Sequence, residues 1–168
     1  MKIGLLSDTH GFLDDRVFEF FSNCDEIWHA GDFGTIDVSD TLSAFKLLRG
    51  VYGNIDGREI RIAHPLDNRF EVEGVKIWIT HIGGYPGKYD ARVRELLQKD
   101  PPGVFICGHS HILRVGRDKR FGNMITMNPG AAGNYGNHNV RTLLRFSVTD
   151  GMVKDVDAID LGPRAFSL

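Results

Sequence analysis

The chain opens on a short apolar run that ends in polar residues. Ile3 to Leu6 are followed at once by Asp8 and His10. An apolar run bounded by turn-prone residues is typical of a buried parallel strand. Because alternate residues of an extended chain point to the same side, Asp8 and His10 are expected to face one pocket. Ligands of open α/β sheets bind at this end of a strand, and a carboxylate beside a neutral imidazole suits a transition metal.

The same pattern of a strand and a polar tip occurs twice more, at Asp32 and Asn54. The predicted strands are Glu26–Ala30 and Leu47–Tyr52, and the predicted helices begin at Asp14 or Asp15 and cover Val38–Lys46. Asp8 and Asp32 are 24 positions apart, and Asp32 and Asn54 are 22 apart. That spacing fits a helix plus a strand in successive βαβ units. Right-handed crossovers then place the three polar tips on one edge of one parallel sheet.

The second half of the chain contains strands that turns join directly, which indicates antiparallel pairing. The predicted strands are Arg61–His64, Phe70–Val72, Val75–Thr80, Val104–Cys107, Ile112–Val115, Phe121–Met127, Val140–Val148 and Met152–Ala158, with a helix at Tyr89–Lys99. The tail from residue 159 to 168 fits no single element. The pattern predicts an α/β fold in one domain, residues 1–168. In it, two mixed β-sheets pack face to face with flanking helices, as a four-layer αββα sandwich.

Composition narrows the classes of partner. The chain has 168 residues and a formal net charge of −2, so no broad basic surface is expected and a nucleic-acid polymer is disfavoured. No apolar run approaches the ~20 residues of a membrane span, and no signal peptide precedes the first strand. Cys24 and Cys107 stand in apolar, strand-like contexts, which predicts core residues in a reducing cytoplasm.

Seven polar residues stand at predicted strand ends. They are Asp8, His10, Asp32, Asn54, His81, His109 and His111. Seven ligands exceed what one tetrahedral zinc takes. They fit two metals about 3.5–4 Å apart that share a bridging carboxylate. The simpler alternative, that Asp8 and Asp32 only cap helices, leaves His10 unexplained.

The ordered motifs resemble those of the calcineurin-like metallophosphoesterases, and in particular their small single-domain, YfcE-like phosphodiesterase group. The motifs are D-x-H from Asp8, G-D at Asp32, G-N-x-D around Asn54, a lone histidine at His81, G-H-x-H from His109, and N-P-G from Asn128. The resemblance implies one metal on Asp8, His10 and His111. It implies a second metal on Asn54, His81 and His109, with Asp32 as the bridge.

The resemblance also implies an activity. It is that of a binuclear metal-dependent phosphoesterase that hydrolyses phosphodiester bonds with a metal-bridging hydroxide. Manganese is the first choice of divalent ion, with nickel, iron, zinc and magnesium as alternatives. The expected partner is a small phosphodiester substrate, and a homo-oligomer is left open. The alternative is a non-catalytic metal-binding interaction module on the same fold, like the retromer subunit, whose ligand positions are altered. Here all seven positions are filled.

One position departs from the pattern of the larger members of the family, which read G-N-H-[DE]. Their histidine is the proposed general acid, and Ile55 stands in its place here. Isoleucine cannot transfer a proton, so the group that protonates the leaving oxygen, if there is one, is left open.

Other residues near the motifs have two interpretations each. Asp56 is either a turn residue or an acceptor that orients a ligand histidine. His29 is expected in the core or just behind the ligands, and His64 and His138 on the surface or in loops, with His138 able to approach the site. The turn from Asn128 to Gly130 could also face a phosphate with its backbone N–H groups.

Overall fold

The computed structural model describes residues 1–164, which form two five-stranded mixed sheets and a short two-stranded one. The strands are β1 (Lys2–Leu6), β2 (Glu26–His29), β3 (Leu47–Gly50), β4 (Asp67–Val72), β5 (Val75–Thr80), β6 (Gly84–Tyr85), β7 (Lys88–Tyr89), β8 (Val104–Ile106), β9 (Leu113–Asp118), β10 (Met124–Pro129), β11 (Val140–Thr149) and β12 (Met152–Pro163). The helices are α1 (Arg16–Phe20), α2 (Ile36–Phe45), α3 (Arg58–Ala63) and α4 (Ala91–Lys99), with a 3₁₀ turn at Lys119–Phe121.

The first sheet has the order β12-β11-β1-β2-β3. The first three strands of the chain run parallel to one another, and β11 pairs antiparallel with β1. The carboxyl ends of β1, β2 and β3 therefore meet at one edge, as the βαβ spacing predicted.

The second sheet has the order β4-β5-β8-β10-β9. In it β8 runs parallel to both β5 and β10, while the two outer strands pair antiparallel. The tight turn at Glu73 and Gly74 has positive φ at both residues, which is the geometry that a two-residue hairpin requires. The predicted strands on either side of this turn, and the later hairpins, are confirmed.

Three hydrophobic clusters separate four layers of structure. The middle cluster joins the two sheets through side chains such as Leu5, Trp28, Ile77 and Ile106. A second cluster packs α1 and α2 on the outer face of the first sheet, and a third packs α4 on the outer face of the second. The predicted sandwich with helices outside is therefore confirmed. Cys24 and Cys107 are buried free thiols within these clusters.

One predicted strand is wrong. Arg61–His64 covers the second half of α3 and the residue just after it. The buried apolar residue of this helix, Ile60, precedes the segment. Its carbonyl accepts the N–H of His64, one helical turn later. Ile62 is 74% exposed, so the segment has no second face to bury in a sheet. Pro65 then disfavours helical backbone at His64 and helps to end the helix.

The structure assigns a strand to part of the tail that the sequence pattern left ambiguous. The ambiguous tail continues β12 as far as Pro163, and residues 165–168 lie outside the described part of the chain. No helix within residues 1–164 combines the length and apolar character needed to cross a bilayer.

A buried carboxylate closes the β9–β10 hairpin. Asp118 is 3% exposed and accepts bonds from the Arg120 guanidinium at 3.0 and 2.7 Å and from the Tyr89 hydroxyl at 2.9 Å. The Arg120 side chain is the main reason that the pKa of Asp118 falls to about 2, against the opposing effect of burial. The carboxylate thus ties the hairpin to the segment that leads into α4.

We expect Asp118→Asn to lower the free energy of unfolding by about 1–2 kcal/mol at neutral pH, because the charge on these hydrogen bonds is lost. A depressed folded-state pKa stabilises the protein above the unfolded pKa of about 4, and this contribution disappears as the pH falls toward about 2. Urea unfolding of both proteins across that interval should show their difference shrinking. Asp40→Asn, on the exposed face of α2, is the matched control. A difference that stays constant with pH would contradict the prediction.

Candidate metal centre

Polar side chains gather at one edge of the sandwich, where five strands from both sheets end. Asp8 and His10 follow β1, Asp32 follows β2, Asn54 follows β3, His81 follows β5, and His109 and His111 follow β8. Both sheets therefore contribute to one site, because the face-to-face packing aligns the ends of their parallel strands.

Two groups of ligand atoms lie within 4.8 Å of one another, one formed by Asp8, His10 and His111 and the other by Asp8, Asp32 and His81. In the first group, Asp8 Oδ1 lies 3.1 Å from His111 Nε2 and 3.9 Å from His10 Nε2. Asp8 belongs to both groups. The Asp32 carboxylate, in the second group, also approaches the first, with Oδ2 3.6 Å from His10 Nε2 and 3.3 Å from His81 Nε2.

The remaining two predicted ligands lie on the His81 side. Asn54 Oδ1 is 3.1 Å from His81 Nε2. The ring of His109 is edge-on to that of His81, with centroids 5.3 Å apart, but His109 is exposed and belongs to neither compact group. Its backbone N–H donates to Asp8 Oδ2 at 3.1 Å. The structure thus brings six of the predicted side chains together tightly and places His109 at the rim.

The backbone at the site has an unusual conformation. Among residues 1–164, nine non-glycine residues have positive φ, and five of them are predicted ligands: Asp8, His10, Asp32, His109 and His111. Left-handed backbone is uncommon outside glycine and clusters at functional sites. Asp8 and His10 therefore converge through tight turns after Leu6, where β1 ends, and the extended alternation expected from the sequence does not apply.

Two buried atoms in the cluster lack partners. Asp8 Oδ1 and His10 Nε2 have no hydrogen bond to any described residue. The other oxygen of Asp8 is satisfied by the Ser7 hydroxyl at 2.6 Å and by the His109 N–H. Leaving a buried polar atom unsatisfied costs about 1–3 kcal/mol. A divalent cation would satisfy both atoms, and carboxylate, amide and imidazole donors fit such an ion.

Burial and nearby charge have opposite effects on the pKa values of His10 and His81. Burial lowers the pKa of His10, and the Asp32 and Asp8 carboxylates only partly offset it. Burial also acts to lower the pKa of His81, but its bond to Asp32 and the charge of Asp8 outweigh burial and raise it. A cation at the cluster would compete with the proton that these carboxylates hold on His81.

Asp56 fastens two of the ligand loops to each other. Its carboxylate is buried and accepts from the backbone N–H groups of Phe33 at 3.2 Å, Gly34 at 2.8 Å and Gly53 at 2.8 Å. In the described residues its hydrogen bonds go to backbone and none goes to a histidine, so the predicted contact with a ligand histidine is wrong. Asp56 instead holds the loop after Asp32 against the loop that carries Asn54.

Two glycines permit this close approach. A Cβ on Gly53 would overlap the Asp32 carboxylate, and a Cβ on Gly31 would lie 2.5 Å from His81 Nδ1. The glycines of the G-D and G-N motifs are therefore needed for space beside the ligands.

His29 and His64 form a stack beneath the site. The ring of Phe33 lies 3.6 Å from that of His29 and 4.5 Å from that of His64, centroid to centroid. His29 is fully buried, as predicted, and its Nε2 pairs with the Thr9 hydroxyl at 3.0 Å. His64, predicted on the surface or in a loop, directly follows α3 and is half-buried, with its Nε2 2.7 Å from the Ser39 hydroxyl. This stack supports the ligand loops from below.

The N-P-G turn contributes to the site through the side chain of Asn128. Asn128 is buried and donates to the Gly108 carbonyl at 2.8 Å and to the Ser110 hydroxyl at 3.1 Å. The Gly130 N–H is bonded to Asn128 Oδ1 at 3.0 Å and is not free for a phosphate, contrary to that interpretation. Asn128 instead braces the G-H-x-H loop.

Two contacts at the site were not anticipated, and a third agrees with one of the two interpretations of His138. Ser7 bonds to Asp8 as described above, and its only signal was its place next to that residue. The ring of Tyr135, in the polar loop after β10, lies 5.2 Å from that of His10. His138, in the same loop, reaches His111, with the two Nδ1 atoms 3.2 Å apart.

Two clefts flank the cluster. One of about 340 Å³ is lined by Asn54 and His81 together with Tyr52, Leu66 and Arg61. The other, of about 370 Å³, is lined by His109 and His111 together with Ser110, Asn137 and His138. The first cleft has two arginines, Arg61 and Arg92, beside its apolar side chains, and the second is lined about equally by polar and apolar surface.

Comparison with known proteins agrees with this geometry. A family model described as the calcineurin-like phosphoesterase superfamily domain matches residues 1–151. A probable metallophosphoesterase of Methanothermobacter thermautotrophicus is 30% identical over 136 residues, covering 78% of this chain and 77% of that protein.

Solved structures share the fold. One, of a protein characterised as a novel archaeal phosphodiesterase, has a TM-score of 0.73 at 23% identity and covers 96% of this chain and 100% of its own. Wild-type Vps29 from Entamoeba histolytica, in complex with zinc, has a TM-score of 0.70 at 18% identity, covering 95% and 99%. At these identities the likeness shows the fold alone.

We expect Asp56→Ala to lower the free energy of unfolding by about 2–4 kcal/mol, because three backbone N–H groups lose their acceptor. Binding of divalent cations should also weaken, since the two loops would no longer be held together. Thermal unfolding and metal titration of the same sample measure both effects, with Asp40→Ala as the control. Loss of stability with unchanged metal affinity would show that Asp56 does not position the ligand loops.

Proposed function

Because the chain belongs to the calcineurin-like phosphoesterase superfamily, we propose that it is a phosphodiesterase that uses two divalent cations. The observation that carries the proposal is the pair of unpartnered buried atoms, Asp8 Oδ1 and His10 Nε2, at the centre of the converging ligands. Buried polar atoms without hydrogen-bond partners are costly in an empty site and are satisfied by a cation.

The proposed ligand sets follow the motifs. Asp8, His10 and His111 hold one ion, Asn54, His81 and His109 hold the other, and Asp32 bridges them. The position of Asp32 Oδ2 between His10 and His81 supports the bridge. We propose manganese as the first choice of ion, because oxygen and imidazole donors without a thiolate suit it, with nickel, iron, zinc and magnesium as alternatives.

The chemistry divides between ions and protein. Two such cations lower the pKa of bound water and neutralise charge on the phosphoryl oxygens. The chain supplies two buried carboxylates, Asp8 and Asp32, and the neutral amide of Asn54. The carboxylates oppose the approach of a dianionic phosphate monoester more than that of a monoanionic diester.

The two clefts also favour a diester. A phosphodiester carries two ester groups, and one cleft opens on the Asn54 side of the cluster while the other opens on the His111 side. A small diester can place one group in each cleft. The net charge of −2 gives no support to a polymeric nucleic acid as substrate. We propose a cytoplasmic location, which the two free, buried thiols support.

A second candidate function is a metal-binding interaction module. It is favoured by the fold shared with Vps29 and by exposed apolar side chains on and before the edge strand β9, among them Ile112 and Val115. Large exposed apolar patches mark interaction surfaces. Metal binding without turnover of any phosphoester would favour this function over the enzyme.

We expect the purified protein to bind about two divalent ions per chain when manganese is saturating. Asp32→Asn removes the proposed bridging charge, so it should weaken binding and lower diesterase activity by orders of magnitude while the circular dichroism spectrum is unchanged. Elemental analysis, manganese titration and diester turnover measure these effects, and Asp40→Asn is the matched control. A saturated protein that holds one ion, or an Asp32→Asn variant of full activity, would contradict the bridge.

The second expectation concerns Ile55, which is 47% exposed and whose backbone N–H donates to Asp32 Oδ1 at 3.1 Å. Without a general acid there, activity should fall steeply as the leaving group becomes a poorer one. Activated aryl diesters should react best, natural diesters modestly, and phosphoserine or phosphothreonine peptides little. A positioned general acid contributes about 10²–10⁴-fold. Ile55→His should therefore help substrates with leaving groups of high pKa most.

The measurement is kcat/KM across diesters of graded leaving-group pKa, with Ile55→Leu as the control for a change of side chain alone. A flat series for the unmodified protein would mean that another group, such as His138, already supplies the proton.

A further inference from the structure

His138 connects a metal-ligand histidine to the backbone. It lies in the loop between β10 and β11, with its Nε2 2.9 Å from the Gly133 carbonyl oxygen. Its Nδ1 lies 3.2 Å from Nδ1 of His111. Neither of these contacts belongs to the family motifs.

The position of each proton follows from the carbonyl. A carbonyl oxygen only accepts, so His138 Nε2 must donate, and a neutral imidazole then has an unprotonated Nδ1. That nitrogen can only accept, so His111 Nδ1 must carry the proton between them. In a neutral His111 the remaining nitrogen, Nε2, is therefore unprotonated.

The unprotonated nitrogen faces a carboxylate. His111 Nε2 lies 3.1 Å from Asp8 Oδ1, yet Asp8 Oδ1 has no hydrogen-bond partner among the described residues. Two acceptors that face each other at this distance repel, unless a cation lies close to both. The hydrogen bonds of His138 thus prepare His111 as a metal ligand before any ion arrives.

On the other side of the cluster a backbone carbonyl lies directly behind the ligand histidine. His81 Nδ1 lies 2.7 Å from the Ala30 carbonyl oxygen, which leaves His81 Nε2 to face the cluster. A backbone carbonyl behind a ligand histidine is the usual arrangement. Behind His111, the imidazole of His138 stands between the ligand histidine and the Gly133 carbonyl. The loop that carries His138 therefore becomes part of the site.

The loop is held close to both histidines. The Gly133 N–H donates to the backbone carbonyl of Asp8 at 3.1 Å, so the residue that anchors His138 is itself tied to a ligand. A Cβ on Gly136 would overlap the His111 ring and lie 3.1 Å from His138 Nδ1. The loop therefore packs directly on the pair of rings.

We propose that His138 is a positioning residue that selects the His111 tautomer with an unprotonated Nε2 and thereby raises cation affinity at Asp8, His10 and His111. The selection of the tautomer does not depend on a bound ion. Only the effect on affinity rests on the proposed metal centre.

The test compares two substitutions of His138. His138→Leu keeps apolar bulk but removes both hydrogen bonds. His138→Gln preserves them in principle, since its amide oxygen can accept from His111 while its NH₂ group donates to Gly133. Asn139→Leu, at an exposed position in the same loop, is the control for placing leucine there.

Manganese affinity is measured by chelator competition on each purified protein. Loss of a contact behind a metal ligand typically costs 10–100-fold in affinity, so His138→Leu should bind one of the two proposed ions about 10–100-fold less tightly. His138→Gln and Asn139→Leu should stay close to the unmodified protein. Equal affinity for His138→Leu would overturn the proposal. A glutamine variant as weak as the leucine variant would also overturn it, because the imidazole itself would then be required.

Long-range nitrogen–proton NMR correlations of the metal-free protein give a second readout, above the titration range of histidine. In the unmodified protein His111 should carry its proton on Nδ1, and in His138→Leu it should show a mixture of tautomers. A proton on His111 Nε2 in the unmodified protein would overturn the tautomer selection, even if the leucine variant did not fold. A protein that binds no manganese but shows the Nδ1 tautomer would contradict the proposed function and leave the selection intact.

Discussion

The buried negative charge of two carboxylates, Asp8 and Asp32, is the constraint on which the rest of this structure depends. They lie at adjacent strand ends, so the protein must stabilise negative charge where little water can reach. Each carboxylate has one oxygen held by backbone or hydroxyl donors, from Ser7 and His109 for Asp8 and from Ile55 for Asp32. The other oxygens point toward imidazole nitrogens. The donors therefore fix one oxygen of each carboxylate, and the other oxygen is available to a cation.

The surrounding packing serves that arrangement. Asp56 links the loops after β2 and β3, Asn128 braces the loop after β8, and the His29–Phe33 stack lies beneath Asp32. These contacts hold strained backbone at the ligands, and strain of this kind persists only where neighbouring structure over-determines it. A ligand geometry held by several independent contacts is better prepared for an ion than one held by side-chain rotamers alone.

The sequence predicted much of the fold because its signals were redundant. Each parallel strand of the first sheet had a short apolar stretch, a polar tip and a matching spacing, so small errors in the bounds did not change the topology. Arg61–His64 failed because four residues with two apolar positions fit a strand and a helical turn equally well. The same limits apply to the site. Motif order identified the set of residues that converge, but not the exposed position of His109 or the backbone bonds of Asp56. Both depend on tertiary contacts between loops distant in the chain.

The left-handed backbone at five of the predicted ligands also limits how this site can change in evolution. Glycine, asparagine and aspartate tolerate positive φ, whereas β-branched residues do not. A relative that lost its metal would therefore tend to exchange these residues for glycine or asparagine and to avoid valine or isoleucine. The left-handed turns would then persist after the metal ligands were lost. The loops of a sandwich without ligands would still show where a metal site had been.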